Sequence, residues 1–178
     1  VEDLAGKPVS VGMTASATEI GAKIAFVAAG IPYPDGIKAQ FLGIGEGADS
    51  VRDGTSAAVH SFGGIPQGGY LDLSSTKSVR LLKYKPETLK KILDENSYYY
   101  EAEIPLDVYK VTNTEPVKSF GVKALCIASA KMSDDVAYNI VKACLEHIPD
   151  LINGHASLKA MSDIQFVTND IAIPLHPG

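Results

Sequence analysis

Residues 8–97 alternate between two kinds of signal, and this alternation constrains the chain more than any other feature. Short apolar runs read as strands: PVSVGM (8–13), KAQFLGI (38–44), SAAVHSF (56–62) and SVRLLKY (78–84). Helix signals follow each of them, over 17–29, over 46–54, in a short helix within 63–76, and over 86–97. The first helix is stopped by Gly30 and Pro32, the second by Gly54, and the last opens on Pro86 with Leu89, Ile92 and Leu93 on one face. Strict alternation of this kind predicts an α/β fold built on a parallel sheet, because a parallel pair needs a crossover and the crossover is usually a helix.

Beyond residue 97 the pattern changes. YYYEAEI (98–104) and KSFGVKALCIASA (118–130) read as longer strands, separated by the loop PLDVYKVTNTEPV (105–117). Residues 133–148 have the strongest helical pattern: Ser133 as N-cap, Asp134 and Asp135 at the positive helix end, an apolar face of Val136, Ile140, Val141, Cys144 and Ile148, and Pro149 as the stop. A shorter helix over 156–161 and the apolar tail AIPLHPG complete the chain. The change of style at 98–117 is the one candidate boundary.

Charge and cysteine usage narrow the function classes. A net charge of −5 and a pI near 5.3 argue against nucleic acid and anionic membrane surfaces as partners. No stretch reaches the roughly 18 apolar residues of a membrane span. Cys126 and Cys144 lie in apolar stretches and read as buried free thiols, although their number alone leaves a disulfide open. No Cys/His spacing suits zinc, and no cofactor is expected.

The segment VSVGMTASATEIGAKIAFVAAGI (9–31) carries the clearest local chemistry. Thr14, Ser16 and Thr18, with Ala15 and Ala17 between them, lie where a strand turns into a helix. A helix start leaves backbone N–H groups unpaired, and its dipole favours a carboxylate or phosphate. In open α/β sheets ligands bind beyond the carboxyl ends of the strands, where this loop falls. The plainer alternative is that one hydroxyl merely caps the helix. Ser61, Phe62 and Gly63 end the third strand at the same edge and make a second wall. GIGEGA (43–48) fits G-x-G-x-x-A, but Glu46 would face a pyrophosphate and the helix is soon broken, so a turn is the better reading. Ser16 or His60 would serve a small hydrolase or transferase. However, there is no G-x-S-x-G elbow, and the histidines (60, 147, 155, 176) are scattered. Tyr98 to Tyr100 read as core packing, or as a stacking wall for a ligand. A fragment that only engages other proteins and takes no ligand is a third possibility.

Together these pieces resemble the TAXI solute receptors of tripartite ATP-independent periplasmic (TRAP) transporters. LAGKPVSVGMTASATEIGAKIAFVAAGI is similar to the family's L-x-G-K-x-V-x-V-G segment, its G-S-G-T-E-like loop and a helix ending A-A-G. SAAVHSFGGIPQGGYLDLSST resembles its D-A-A-F-x-x-x-G-x-P segment and L-A-S-T, and AIPLHPG its terminal L-H-P-G. YYYEAEIP and MSDDVAYNIVKACLEHI also fit. Alanine stands at 15 and 17 where the family has glycine, which narrows the space above the backbone.

The resemblance implies a type II periplasmic-binding-protein-like fold. Residues 7–104 would be the second α/β lobe, and 105–178 would cross back to complete a first lobe. Family members are longer, so the chain would be the later part of a receptor, its signal peptide removed with the earlier part. The implied function is non-enzymatic: capture of a small organic anion, glutamate- or 2-oxoglutarate-like, at residues 14–18 and 61–63. The receptor would be periplasmic, would dock on a membrane permease without spanning the membrane itself, and would not bind nucleic acid.

Overall fold

The computed structural model describes residues 1–169, 171 and 173–178. Two compact units are formed, Val1–Gly121 and Val122–Gly178. Of the apolar tail, Ala172 lies outside the described residues.

The first unit is the α/β lobe that the alternation predicts. Its strands β1 (Pro8–Ser10), β2 (Lys38–Gln40) and β3 (Ala58–Val59) form a parallel sheet in the order β2-β1-β3. The central strand pairs Val9 with Ala39 on one side and Ala58 on the other, and Ser10 with Gln40 and Val59. Helix α1 (Ala17–Ala28) covers one face. Ala22 and Phe26 pack with Leu4, Val9, Val11, Ile31 and Ile37. Helix α2 (Ile44–Arg52) covers the other face, its Gly47 so close to Ser10 that a Cβ there would lie 2.4 Å from the Ser10 hydroxyl. Burial of both faces explains why the strands are short apolar runs without clean alternation.

The helix ends match their sequence signals. Gly30 takes φ +78°, and the Ile31 N–H reaches back to the Phe26 carbonyl at 2.9 Å, a closure that only a left-handed residue permits cheaply. Helix α3 (Gly68–Thr76) lies against α2, and α4 (Pro86–Glu95) lies against α1. A second apolar cluster joins Ala25 of α1, Leu89 and Ile92 of α4, Tyr99, and Phe120. Strands β4 (Tyr100–Ile104) and β5 (Val117–Gly121) form an antiparallel pair. The small residues of α1 therefore let it pack on the sheet and on the second cluster at once.

Three expectations for this unit need correction. The run 78–84 is not a strand of the sheet: only Val79 makes a bridge, to Val111. The Asn113 side-chain amide supplies both hydrogen bonds to Leu81, accepting from its N–H at 2.8 Å and donating to its carbonyl at 3.1 Å. β5 ends at Gly121 instead of running to residue 130, because β4 offers it no partner beyond Tyr100. Of the three tyrosines, Tyr99 is buried, Tyr100 half-buried and Tyr98 exposed.

The second unit holds α5 (Asp134–Glu146), α6 (Ile148–Gly154), a 3₁₀ segment at Ala156–Ser162 and α7 (Ile164–Thr168). Ser133 is at the N-cap of α5 but makes no side-chain capping bond. Pro149 opens α6 instead of ending the longer helix, a place where its missing N–H is harmless. The expected apolar face of α5 is exposed: Val136, Ile140, Val141 and Cys144 all lie open. Cys126 is exposed as well, so both thiols are free but not buried. The physical reason is that this unit builds almost no core. Ala137 is its one buried residue among those described.

The two units should therefore respond differently to truncation. Ile92→Ala, at a position with 0% exposure, should lose about 2–5 kcal/mol in chemical denaturation. Ile140→Ala should stay within about 0.5 kcal/mol of the parent.

Candidate functional site

Because β1, β2 and β3 are parallel, their carboxyl ends share one edge, and three loops emerge there: 11–16, 41–43 and 60–67. The first loop begins with Gly12 at φ +92°, where a Cβ would lie 2.5 Å from the Thr18 methyl. Ala15 takes φ +61°, the one left-handed non-glycine among the described residues. Glycine holds that conformation without strain, whereas alanine is disfavoured there by about 1–2 kcal/mol.

The polar groups of this loop divide into engaged and free. Ser16 is the N-cap of α1, and its hydroxyl accepts the Glu19 N–H at 3.2 Å. The Glu19 carboxylate turns back on the loop: Oε2 accepts the Ala15 N–H at 3.3 Å, and Oε1 accepts the Tyr33 hydroxyl at 2.8 Å. Burial and this carboxylate hold the Tyr33 phenol protonated well above its ordinary range. Thr18 is buried, and its hydroxyl accepts the Phe62 N–H at 3.2 Å, tying the third loop to the first. The N–H groups of Ala17 and Thr18, at the helix start, have no hydrogen-bond partner among the described residues. Thr14 is exposed.

The third loop is more structural than its composition suggests. The Phe62 ring turns into the second apolar cluster, 5.2 Å from the Phe120 ring and 5.7 Å from the Tyr99 ring, centroid to centroid. It lies on α1 at Gly21, where a Cβ would meet the ring at 1.8 Å. Ser61 donates to the Gln67 side chain at 2.8 Å, and Gly63 leaves room for that amide. The Gln67 N–H in turn donates to the Tyr109 hydroxyl at 2.8 Å. Thus Thr14–Thr18 and Ser61–Gly63 do share the edge, joined by the Thr18–Phe62 bond. Phe62 contributes its backbone there, while its ring belongs to the core.

The G-x-G-x-x-A run (43–48) is not a turn but the start of α2, with Gly43 at its N-cap. The Glu46 carboxylate accepts the Gly43 N–H at 3.2 Å, filling the place a pyrophosphate would need. The Ser16 hydroxyl is occupied as the α1 cap, and no histidine among the described residues is hydrogen-bonded to it. His60 extends the ladder by donating its N–H to the Ser10 carbonyl at 2.8 Å, and its ring stands edge-on to Phe62 at 5.5 Å. The residue as a whole keeps some exposure, yet Nε2 of its ring is sealed from solvent without a partner. Burial pushes its pKa down from 6.5 to about 4. Glu19, Tyr33 and Gln67 were not legible as parts of this edge from sequence. Only Glu19 had a local signal, three residues after a serine N-cap.

Two measurements test this geometry. The folded state keeps His60 neutral, so its contribution to stability is whole above pH 6.5 and is lost as pH falls toward about 4. His60→Phe should flatten that part of the pH–stability curve, which otherwise falls by up to about 1.4 kcal/mol per pH unit. Ala15→Gly should raise the melting temperature, since relief of the left-handed strain exceeds the added chain entropy of glycine by roughly 0.5–1 kcal/mol.

A three-stranded parallel sheet flanked by helices, with a small-residue loop at its carboxyl edge, is consistent with a periplasmic-binding-protein-like fold. No described helix is long and apolar enough to cross a membrane. A family model for the NMT1-like family matches residues 1–178. The chain therefore belongs to the NMT1-like family, a periplasmic-binding-protein-like family whose general role is solute binding.

Proposed function

We propose that the chain is the solute-binding part of a TRAP-type transport system of the TAXI kind, taking a small organic carboxylate of the glutamate or 2-oxoglutarate class. The observation that carries this reading is the pair of unengaged N–H groups at Ala17 and Thr18, aligned with the dipole of a 12-residue helix at the carboxyl edge of the sheet. The carboxylate would lie on residues 14–18, with Ser61, Phe62 and Gly63 lining the same cleft through their backbone and the Ser61 hydroxyl. Residues 7–104 would be one lobe of a two-lobed receptor. Residues 105–178 would help complete the other, and closure on the solute would present the receptor to a membrane permease in the periplasm. The bare apolar face of α5 supports that division, because it is a surface shaped for packing. Closure would be favoured only as far as the solute binds the closed form better than the open one.

Thr14→Glu and Ser16→Glu place a like charge at the helix start. Each should weaken carboxylate binding at least about tenfold in titration calorimetry. Unchanged affinity in both variants would remove this loop from the site.

A further inference from the structure

The edge that would hold the carboxylate is itself acidic. Glu19, in the first turn of α1, and Glu46, in the first turn of α2, each turn back to accept a loop N–H. The three loops, 11–16, 41–43 and 60–67, contain no lysine or arginine. A second carboxylate on the solute would meet fixed negative charge with no side-chain cation in these loops to balance it. An ammonium, by contrast, would find a partner ready. Glu19 is held in place by the Tyr33 hydroxyl at 2.8 Å, and each carboxylate oxygen retains a lone pair for another donor.

The same edge exposes apolar side chains. Met13 is 62% exposed and Phe41 45%. In β2, Ala39 packs toward the α1 side, whereas Gln40 turns to the other face, where it meets Ser56. Phe41 follows Gln40 directly, at the carboxyl end of β2. Met13 leads into the loop that Glu19 closes.

Resting on the carboxylate reading above, we infer that the solute is an α-amino acid with an apolar side chain. Its ammonium is taken by Glu19, and its side chain lies against Met13 and Phe41. This keeps the carboxylate site proposed above but reverses the order of its solutes: an apolar amino acid comes first, and the glutamate- and 2-oxoglutarate-like dicarboxylates second.

The test is a titration followed by amide resonances of the intact chain, carried to tens of millimolar, with leucine, its deaminated analogue 4-methyl-2-oxopentanoate, glycine, glutamate and 2-oxoglutarate. Leucine should move the Ala17 and Thr18 amides. The oxo acid and glycine should each bind at least about tenfold more weakly. Glu19→Gln should abolish the preference for leucine over its oxo acid. The ligand series alone decides the matter if that variant does not fold. Equal or tighter binding of the oxo acid, of glycine or of a dicarboxylate would overturn this inference and leave the carboxylate site standing. If none of the five moves those amides, the carboxylate site falls as well.

Discussion

The central strand β1 bears the greatest structural burden in the first unit. Three residues, Pro8 to Ser10, carry a hydrogen-bonded ladder on each side, and Val9 and Val11 are sealed beneath α1. Because both neighbours run parallel to it, all three chain segments must leave at one edge. The loops there meet through the Thr18 hydroxyl and the Phe62 N–H. An interior position for Val9 thus decides, several steps later, where backbone donors are offered to solvent.

The order of elements in the first unit was legible because it rests on local signals. Gly30 and Gly54 mark left-handed helix stops, Pro86 a first turn, and Ser16 an N-cap. Strand lengths were not legible, since apolar runs continue past the residues that find partners: 38–44 pairs only through Gln40, and 118–130 only through Gly121. The hydroxyl loop could be placed from sequence, but its internal division could not. The engagement of Thr18 depends on a residue 44 positions away, and that of Glu19 on Tyr33 across a helix. Phe62 looked like a cleft wall from its neighbours in sequence. Its ring went instead to Gly21, Tyr99 and Phe120, which only the folded chain assembles.

Helix α5 shows the opposite relation between pattern and surroundings. Its heptad-like apolar face is as clear as that of α4, yet α4 buries Leu89 and Ile92 while α5 leaves Ile140 and Val141 open. Periodicity says which side of a helix seeks a partner, and it says nothing about whether the partner is present. The same distinction explains the cysteines. Apolar neighbours in sequence made Cys126 and Cys144 look buried, but burial is a property of what packs on the segment.

The Asn113 amide has a consequence for how the lobe coexists with its own kind. Extended backbone that shows an open N–H and carbonyl is a template on which another chain can grow. At Leu81 both groups are occupied by a single side chain that donates with one end and accepts with the other. A primary amide of this shape imitates the peptide bond it replaces, yet it has no continuation to propagate. At Leu81, on that side, no backbone group is left to offer another chain.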